Sequence, residues 1–575
     1  MNILNRGIGE PERRRSSPVS PFLRVPVSLW LLTGSALLFF LPLHLRALWD
    51  TDEGRYAEIA REMLLLRDWI TPHLNFVVYL EKPPLMYWLT AASFKWFGIS
   101  VFAARFWCAV FGVGTVWLTF LAGRRWRDKR TGLLAGAVLA TSVEFFALTQ
   151  FLVLDMALTF CTTLALYAIV RFLPSRVARE RRNSVLLFAA ATAAGTLIKG
   201  PVALFIPLMV LVVWMVWRRQ GLILNELAWR GPVILWLAIV LPWFIAVSCK
   251  NPYFPRFFFI HEHVQRYFTA VHHRMEPVWF FIPVVIVGFV PWIFFLPRAF
   301  LSVFNKGSFR SDVIGSFLAV WFLSIFLFFS LSHSKLAGYV LPVFPAIALL
   351  AADSISRAWD QEGVPSWMGV GLLCLILFFA VLLFVLKWQI FFRDVPEWSA
   401  ITRNSAPMTI TLGIIVLILA GVWGMRRVPV CIAGILLAQV LFLWQLASLA
   451  AVIDPYLSTK AIACRWKELH RASEPLVVYG ASYENYFQTL PFYAQNRVAV
   501  WGPPGELETG FQHAADAAEW YVPEGQIRSS LGNLPAGAWL ATDEEHASQL
   551  AGDQSSGHLR IMEKSGRLML LQKVS

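Results

Sequence analysis

A membrane protein built almost wholly of helices, with a small α/β domain at its C-terminal end, is what this sequence predicts, and three observations carry the prediction. Of its 575 residues, 57% are hydrophobic and 15% charged, a balance outside that of ordinary soluble domains. The apolar stretches are separated by short basic runs. After about Asp454 the pattern changes to short apolar runs broken by Gly, Pro and polar residues. A net charge of +14 raises the question of nucleic acid, but the Lys and Arg residues lie between apolar segments, where they set orientation in a lipid bilayer. No nucleic-acid partner is expected. The 26 Trp and 46 Phe suit interfacial belts and lipid-facing surface.

Charge alternation orders the elements. Arg13-Arg14-Arg15 and Arg24 precede an apolar run near Val27 to Leu43 that no small-residue cleavage site follows, so an uncleaved first helix with a cytoplasmic N-terminus is expected. Basic runs at Arg124 to Arg130, Arg176 to Arg182, Arg218-Arg219, Arg298 to Arg310, Arg357 and Arg426-Arg427 each follow an apolar span and belong on the cytoplasmic side. That assignment gives spans near 26–46, 100–122, 132–150, 154–173, 184–198, 201–217, 231–249, 277–297, 312–331, 338–352, 366–387, 406–424 and 429–451. Thirteen crossings follow, or 12 if one pair is a re-entrant hairpin. Residues 1–453 form the membrane domain and 454–575 a soluble α/β domain on the outer side. No phosphate-binding Gly-rich loop occurs in the latter, so packing or a substrate lid is its expected role. The six cysteines form no CxxC pair and sit mostly in apolar segments, so no disulfide framework is expected.

The stretch Trp49 to Pro84, numbered 47–84 with its approach, is the first outer loop. Asp50 three residues before Glu53 resembles a capping box, which starts a helix running to about Arg67. Tyr56, Ile59, Ala60, Met63 and Leu66 fall on one stripe, which suits an amphipathic helix lying along the membrane surface. Asp52 stands in its first turn, where a carboxylate at least complements the helix dipole. Glu81-Lys82-Pro83-Pro84 closes the loop, the prolines holding Lys82 in extended backbone, where Glu81 and Lys82 could simply pair.

The remaining connections converge on the same face. They bring Asp52, Arg55, Glu81, Lys82, Asp155, Lys199, His261, His263, His333, Lys335 and Tyr339 to one interface. Arg55, Lys82, Lys199 and Lys335 are candidates to neutralise a lipid-linked phosphate, because preorganised charge at a developing anion is usually the largest catalytic term. Asp155 opens a span, as a helix cap or as an ionisable group with a function at membrane depth. Lys199 closes one as Lys-Gly-Pro, a snorkelling lysine on the plainer reading, and His333, Lys335 and Tyr339 could anchor at the interface. His261-Glu262-His263, with Glu81, suggests a divalent ion such as zinc.

Asp52-Glu53-Gly54-Arg55-Tyr56, Glu81-Lys82-Pro83-Pro84, Lys199-Gly200-Pro201 and Lys335-Leu336-Ala337-Gly338-Tyr339-Val340-Leu341-Pro342 together give the chain a resemblance to the GT-C integral-membrane glycosyltransferases. It looks most like the aminoarabinose transferases that modify lipid A, many of which have Pro where Ala337 stands. The resemblance implies a GT-C polytopic helical bundle, multi-pass in the bacterial inner membrane, with its site in the periplasm. It implies an undecaprenyl phosphate-linked 4-amino-4-deoxy-L-arabinose donor and a lipid A phosphate acceptor, the chemistry behind polymyxin resistance. Asp52 matches the essential aspartate of that family's first outer loop and Lys82 a position near the carrier phosphate, with Arg55, Lys199 and Tyr339 nearby. A phosphate acceptor is already anionic and needs no strong base, so Asp52 would position the reactants or hold the sugar's ammonium. Two other readings compete: a relative moving another polyprenyl-linked sugar, such as mannose, to a protein or glycan hydroxyl, and a lipid or drug transporter without catalysis. A transporter would keep its polar groups near the midplane in two related halves, and no such repeat is visible.

Overall fold

The computed structural model describes residues 26–219, 230–265, 276–304, 311–388, 396–425, 427–471, 474–480, 483, 487–551 and 558–574. Helices run α1 (Val27–Phe40), α2 (Asp52–Leu66), α3 (Leu85–Phe97), α4 (Val101–Trp126), α5 (Lys129–Ala140), α6 (Val143–Thr149), α7 (Leu154–Phe172), α8 (Ala178–Lys199), α9 (Val202–Arg218), α10 (Arg230–Lys250), α11 (Phe281–Gly288), α12 (Leu296–Phe304), α13 (Val313–Leu331), α14 (Phe344–Ala358), α15 (Ser366–Trp388), α16 (Ala406–Trp423) and α17 (Val428–Ala450), with shorter turns between. Among the described residues nine helices are long and apolar enough to cross a membrane, or up to 11 if each of two bent pairs is one span. The bent pairs are α5 with α6, at 66°, and the 281–301 segment, at 99°. Of the other expected spans, one falls on α8, whose first turns carry Arg179, Glu180, Arg181 and Arg182, and one on α9, with 17 residues. The protein is a multi-pass membrane protein.

A hairpin of β1 (His73–Leu74) and β2 (Val77–Val78) lies between α2 and α3. The C-terminal sheet domain holds β3 (Leu476–Tyr479), β4 (Ala499–Trp501), β5 (Tyr521–Val522), β6 (Trp539–Asp543), β7 (Leu559–Ser565) and β8 (Leu568–Lys573) in the order β5-β4-β3-β6-β8-β7. Strands β3 to β6 pair in parallel and β8 runs antiparallel to β6 and β7. Four of the short apolar runs in this region, 475–479, 498–501, 538–541 and 568–571, carry β3, β4, β6 and β8.

The first outer loop departs from a simple amphipathic pattern in two ways. Helix α2 does not leave a charged face open: every residue from Glu53 to Met63 is buried. One hydrophobic cluster joins Tyr56, Ile59, Ala60 and Met63 of α2 to Tyr87 of α3, Leu154 of α7, and Tyr483, Phe487, Leu490 and Trp539 of the C-terminal domain. The apolar stripe faces protein, and so does the polar face, which is why Glu58 and Arg61 pair in full burial at 2.6 Å. Nor does Asp50 cap the helix. Thr51 occupies the cap position without a side-chain bond, and both Asp50 oxygens are taken by Thr489, from its N–H at 2.6 Å and its hydroxyl at 2.9 Å. Gly54 is part of the same contact: a Cβ there would sit 2.5 Å from the Thr489 nitrogen, so only glycine admits the C-terminal domain this close to the helix.

Burial pushes the Asp50 carboxyl up to about 7, against the opposing pull of the Thr489 hydrogen bonds. A raised folded-state value means that protonation stabilises this seam below the unfolded carboxylate range, and that the contribution is lost as pH rises through about 7. Thermal unfolding in detergent should therefore show a pH-dependent decline between pH ~4 and ~7 that Asp50→Asn flattens, with a ceiling of about 4 kcal/mol for the group. An unchanged pH slope in the variant would refute the assignment.

Candidate active site

The site is built outward from Glu53. Its carboxylate accepts from Arg105 at 2.7 and 2.8 Å, from Arg46 at 2.6 Å, and from the backbone N–H groups of Trp49 at 3.0 Å and Leu152 at 2.9 Å. Burial works against this charge, but Arg105 and then Arg46 outweigh it and hold the carboxyl down at about 2. Arg105, fully buried near the start of α4, also donates to the carbonyls of Leu43, Arg46 and Ala47. The Arg46 guanidinium lies 3.8 Å from the Phe151 ring centroid and 4.3 Å from that of Trp49. Asp454, at the entry to the C-terminal domain, accepts from Trp49 Nε1 at 2.6 Å and from the Ala47 N–H at 2.7 Å. This anchor fixes the first turn of α2.

With Glu53 turned inward, its neighbour Asp52 points out, its side chain 38% exposed and 3.4 Å from Arg55 Nη2. Arg55 itself is enclosed: Nε donates to Gln488 at 3.1 Å, and Nη1 meets Glu506 at 2.7 Å and the Tyr79 hydroxyl at 3.3 Å. At the far end of the loop Lys82 Nζ stands 3.5 Å from the Glu81 carboxylate and 3.2 Å from its carbonyl, so the simple pairing of these neighbours is present. Asp155 is not a helix cap. It lies in the first turn of α7 and pairs with Lys199 at 2.5 Å. Lys199 Nζ also sits 4.7 Å from the centre of the Tyr339 ring. Gly338 makes that approach feasible, since a Cβ there would lie 3.2 Å from the Asp155 carboxyl carbon.

Packing ties these groups together. Tyr56, one residue past Arg55, packs its ring at 5.9 Å and a tilt of 43° on Tyr87, just after the Lys82-Pro-Pro corner. Leu154 and Ile198, next to Asp155 and Lys199, belong to the same cluster as those tyrosines. Leu80 and Leu197 share a second cluster with Trp243 and Phe254. The core thus joins the elements that carry two separate polar groups, Asp52 with Arg55 and Asp155 with Lys199 and Tyr339. Beside the Lys199-Gly200-Pro201 corner opens a cavity of about 450 Å³, walled by Thr196, Pro201, Trp236, Phe244, Ile245 and Phe259 among others.

Other candidates stand apart. Lys335 is buried and donates to the Ser332 carbonyl at 2.5 Å and the Glu276 carbonyl at 2.8 Å, which closes the loop before Tyr339; burial lowers its pKa. His333 is exposed. The side chains of His261 and His263 lie outside the described residues, and among the described residues no cluster of three metal-ligating side chains occurs. Sequence reasoning missed Arg105, although an arginine inside an apolar span carries its own signal. It also missed Tyr79, Gln488 and Glu506, which no local pattern marks.

Three comparisons bear on the fold. Residues 27–258 match the dolichyl-phosphate-mannose-protein mannosyltransferase family. The crystal structure of ArnT from Cupriavidus metallidurans bound to undecaprenyl phosphate superposes with a TM-score of 0.83 and 27% identity, covering 96% of this chain and 98% of that one. The chain has the ArnT-type GT-C fold. An undecaprenyl phosphate-alpha-4-amino-4-deoxy-L-arabinose arabinosyl transferase of Enterobacter sp. (strain 638) is 35% identical over 56% of this chain and 58% of its own length. Another of Pectobacterium atrosepticum is 37% identical over 56% of this chain and 57% of its own length. The chain thus aligns with less than two thirds of those relatives. An oligosaccharyltransferase of Archaeoglobus fulgidus shares only the ArnT-type architecture, with a TM-score of 0.51 at 12% identity.

Proposed function

We propose that the chain is a glycosyltransferase that moves 4-amino-4-deoxy-L-arabinose from undecaprenyl phosphate to a phosphate of lipid A, with its site on the periplasmic face of the bacterial inner membrane. The observation that carries this reading is Asp52, a partly exposed carboxylate on a buried base beside Arg55; Lys82 and the Asp155–Lys199 pair supply the further charged groups that the reading uses. The full-length likeness to an ArnT bound to undecaprenyl phosphate and the names of the curated relatives supply the substrate class.

The chemistry is a single displacement. An oxygen of the acceptor phosphate attacks the anomeric carbon, the bond from that carbon to the carrier phosphate breaks, and undecaprenyl phosphate leaves with the electron pair. Lys82 and Lys199 supply positive charge where the departing phosphate gains negative charge. Asp52 orients the reactants and holds the ammonium of the sugar. Arg55, enclosed by Glu506 and Gln488, acts on Asp52 rather than on the phosphate. Tyr339 keeps Lys199 in place, and the apolar cavity beside Lys199 suits a prenyl or acyl chain. Residues 1–453 would form the catalytic membrane domain and 454–575 the periplasmic one.

The test is a reconstituted reaction of purified protein with undecaprenyl phosphate-aminoarabinose and lipid A, read by mass spectrometry. A lipid A product heavier by one aminoarabinose is expected, and its absence would overturn the reading. The match to the mannosyltransferase family favours one alternative, a polyprenyl-linked mannose donor with a hydroxyl acceptor; a parallel arm with those substrates separates the two.

A further inference from the structure

We propose that Glu506 and Gln488, both on the C-terminal sheet domain, are positioning residues for Asp52 and act through Arg55. The inference rests on the reading of Asp52 as the carboxylate that meets substrate. Arg55 follows Asp52 by three residues on α2, the spacing at which an Arg and an Asp on a helix readily fold onto each other, and a free guanidinium would engage the carboxylate through two parallel N–H bonds. Here that collapse does not occur. Gln488 Oε1 takes the Nε–H at 3.1 Å and Glu506 takes Nη1 at 2.7 Å. Two acceptors on separate atoms fix the plane of the guanidinium. Nη2 is left facing Asp52 at 3.4 Å, buried and without a hydrogen bond among the described residues.

Charge and burial explain which carboxylate wins. The side chain of Glu506 is 8% exposed and that of Asp52 38%, so the Glu506 pair is weakly screened and the Asp52 pair strongly screened. Glu506 keeps the guanidinium, and Asp52 stays available to a substrate cation.

The acceptors are themselves held. The Tyr79 hydroxyl bridges the two, accepting from Arg55 Nη1 at 3.3 Å and donating to Glu506 at 3.3 Å. The helix after Glu506, Glu508–His513, docks on β2 so closely that a Cβ at Gly510 would meet the Val78 carbonyl oxygen at 2.6 Å. His513 at its end stacks on Tyr253 at 4.1 Å. The C-terminal domain thus packs directly against the first outer loop and Tyr253.

The experiment uses the full chain in detergent with E506Q, Q488A, R55Q and the double variant E506Q/R55Q. For each, kcat and donor KM are measured by lipid A mass spectrometry, thermal unfolding is recorded, and the rate at which a water-soluble carbodiimide with an amine nucleophile labels Asp52 is read by peptide mass at fixed neutral pH. Freed from Glu506, Arg55 should capture Asp52. E506Q is then expected to lower kcat about tenfold with donor KM changed less than about twofold, and to slow Asp52 labelling about tenfold. Q488A should do the same to a lesser degree, and E506Q/R55Q should be no slower than R55Q alone. Parental labelling of Asp52 in both E506Q and Q488A overturns the proposal whatever happens to turnover. So does an E506Q effect on kcat that multiplies independently with that of R55Q. If the parent itself makes no product, the function reading falls while the labelling still decides this one.

Discussion

Replacing Glu53 by alanine is expected to cost about 3–5 kcal/mol of folding stability, the largest loss of any single substitution in the first outer loop. The size follows from what is left behind. Arg46 and Arg105 both lose their counter-charge in a site where their side chains are 5% and 1% exposed. The N–H groups of Trp49 and Leu152 lose their acceptor as well, and an unsatisfied buried donor carries its own penalty. Glu53→Gln, which keeps the shape and part of the hydrogen bonding, should fall between parent and alanine variant. Thermal unfolding and monodispersity of the purified variants in detergent are the readouts. An alanine variant that unfolds with the parent would show that the anchor is dispensable.

Asp52→Asn should behave in the opposite way. Among the described residues Asp52 makes no hydrogen bond to a buried donor and meets protein charge at Arg55 Nη2, 3.4 Å away, so its replacement by an isosteric neutral group should leave unfolding within about 0.5 kcal/mol of the parent. On the proposed reading, transfer of the sugar should fall by at least about a hundredfold in kcat, because the lost group would act on the reacting centre rather than on the fold. Near-normal turnover in the reconstituted assay would remove Asp52 from the mechanism. The pair of variants is informative because the residues are adjacent in sequence: position 53 should read in stability and position 52 in rate.

Much of the fold is legible in the chain itself because the bilayer restricts the choices. Apolar runs bounded by basic clusters mark the helices, and the Lys199-Gly200-Pro201 corner falls at the end of α8 with Gly200 at a φ of 89°. Asp52, Lys82, Asp155, Lys199 and Tyr339 can each be picked out as charged or aromatic residues at the edge of an apolar span. The pairing of Asp155 with Lys199 could not be read, since 44 residues and two helices separate them. What covers helix α2 could not be read. Its apolar stripe packs on Tyr483, Phe487 and Leu490 and its Arg55 pairs with Gln488 and Glu506, and no local pattern announces a partner so far along the chain. The same holds for Asp50, whose spacing to Glu53 suggests a cap while both residues are committed elsewhere.

The sequence distances in that seam also say something about when the site comes into being. The N–H of Asp50 donates to the carbonyl of Leu457 at 2.8 Å, Asn75 bonds both backbone groups of Val498, and Arg55 meets Glu506. Each contact joins a residue before 76 to one after 456, a loop whose closure is slow and comes late. A chain still attached to the ribosome therefore cannot yet make these contacts, and a truncation that spares every membrane span but deletes the terminal sheet domain takes away the acceptors that hold Arg55.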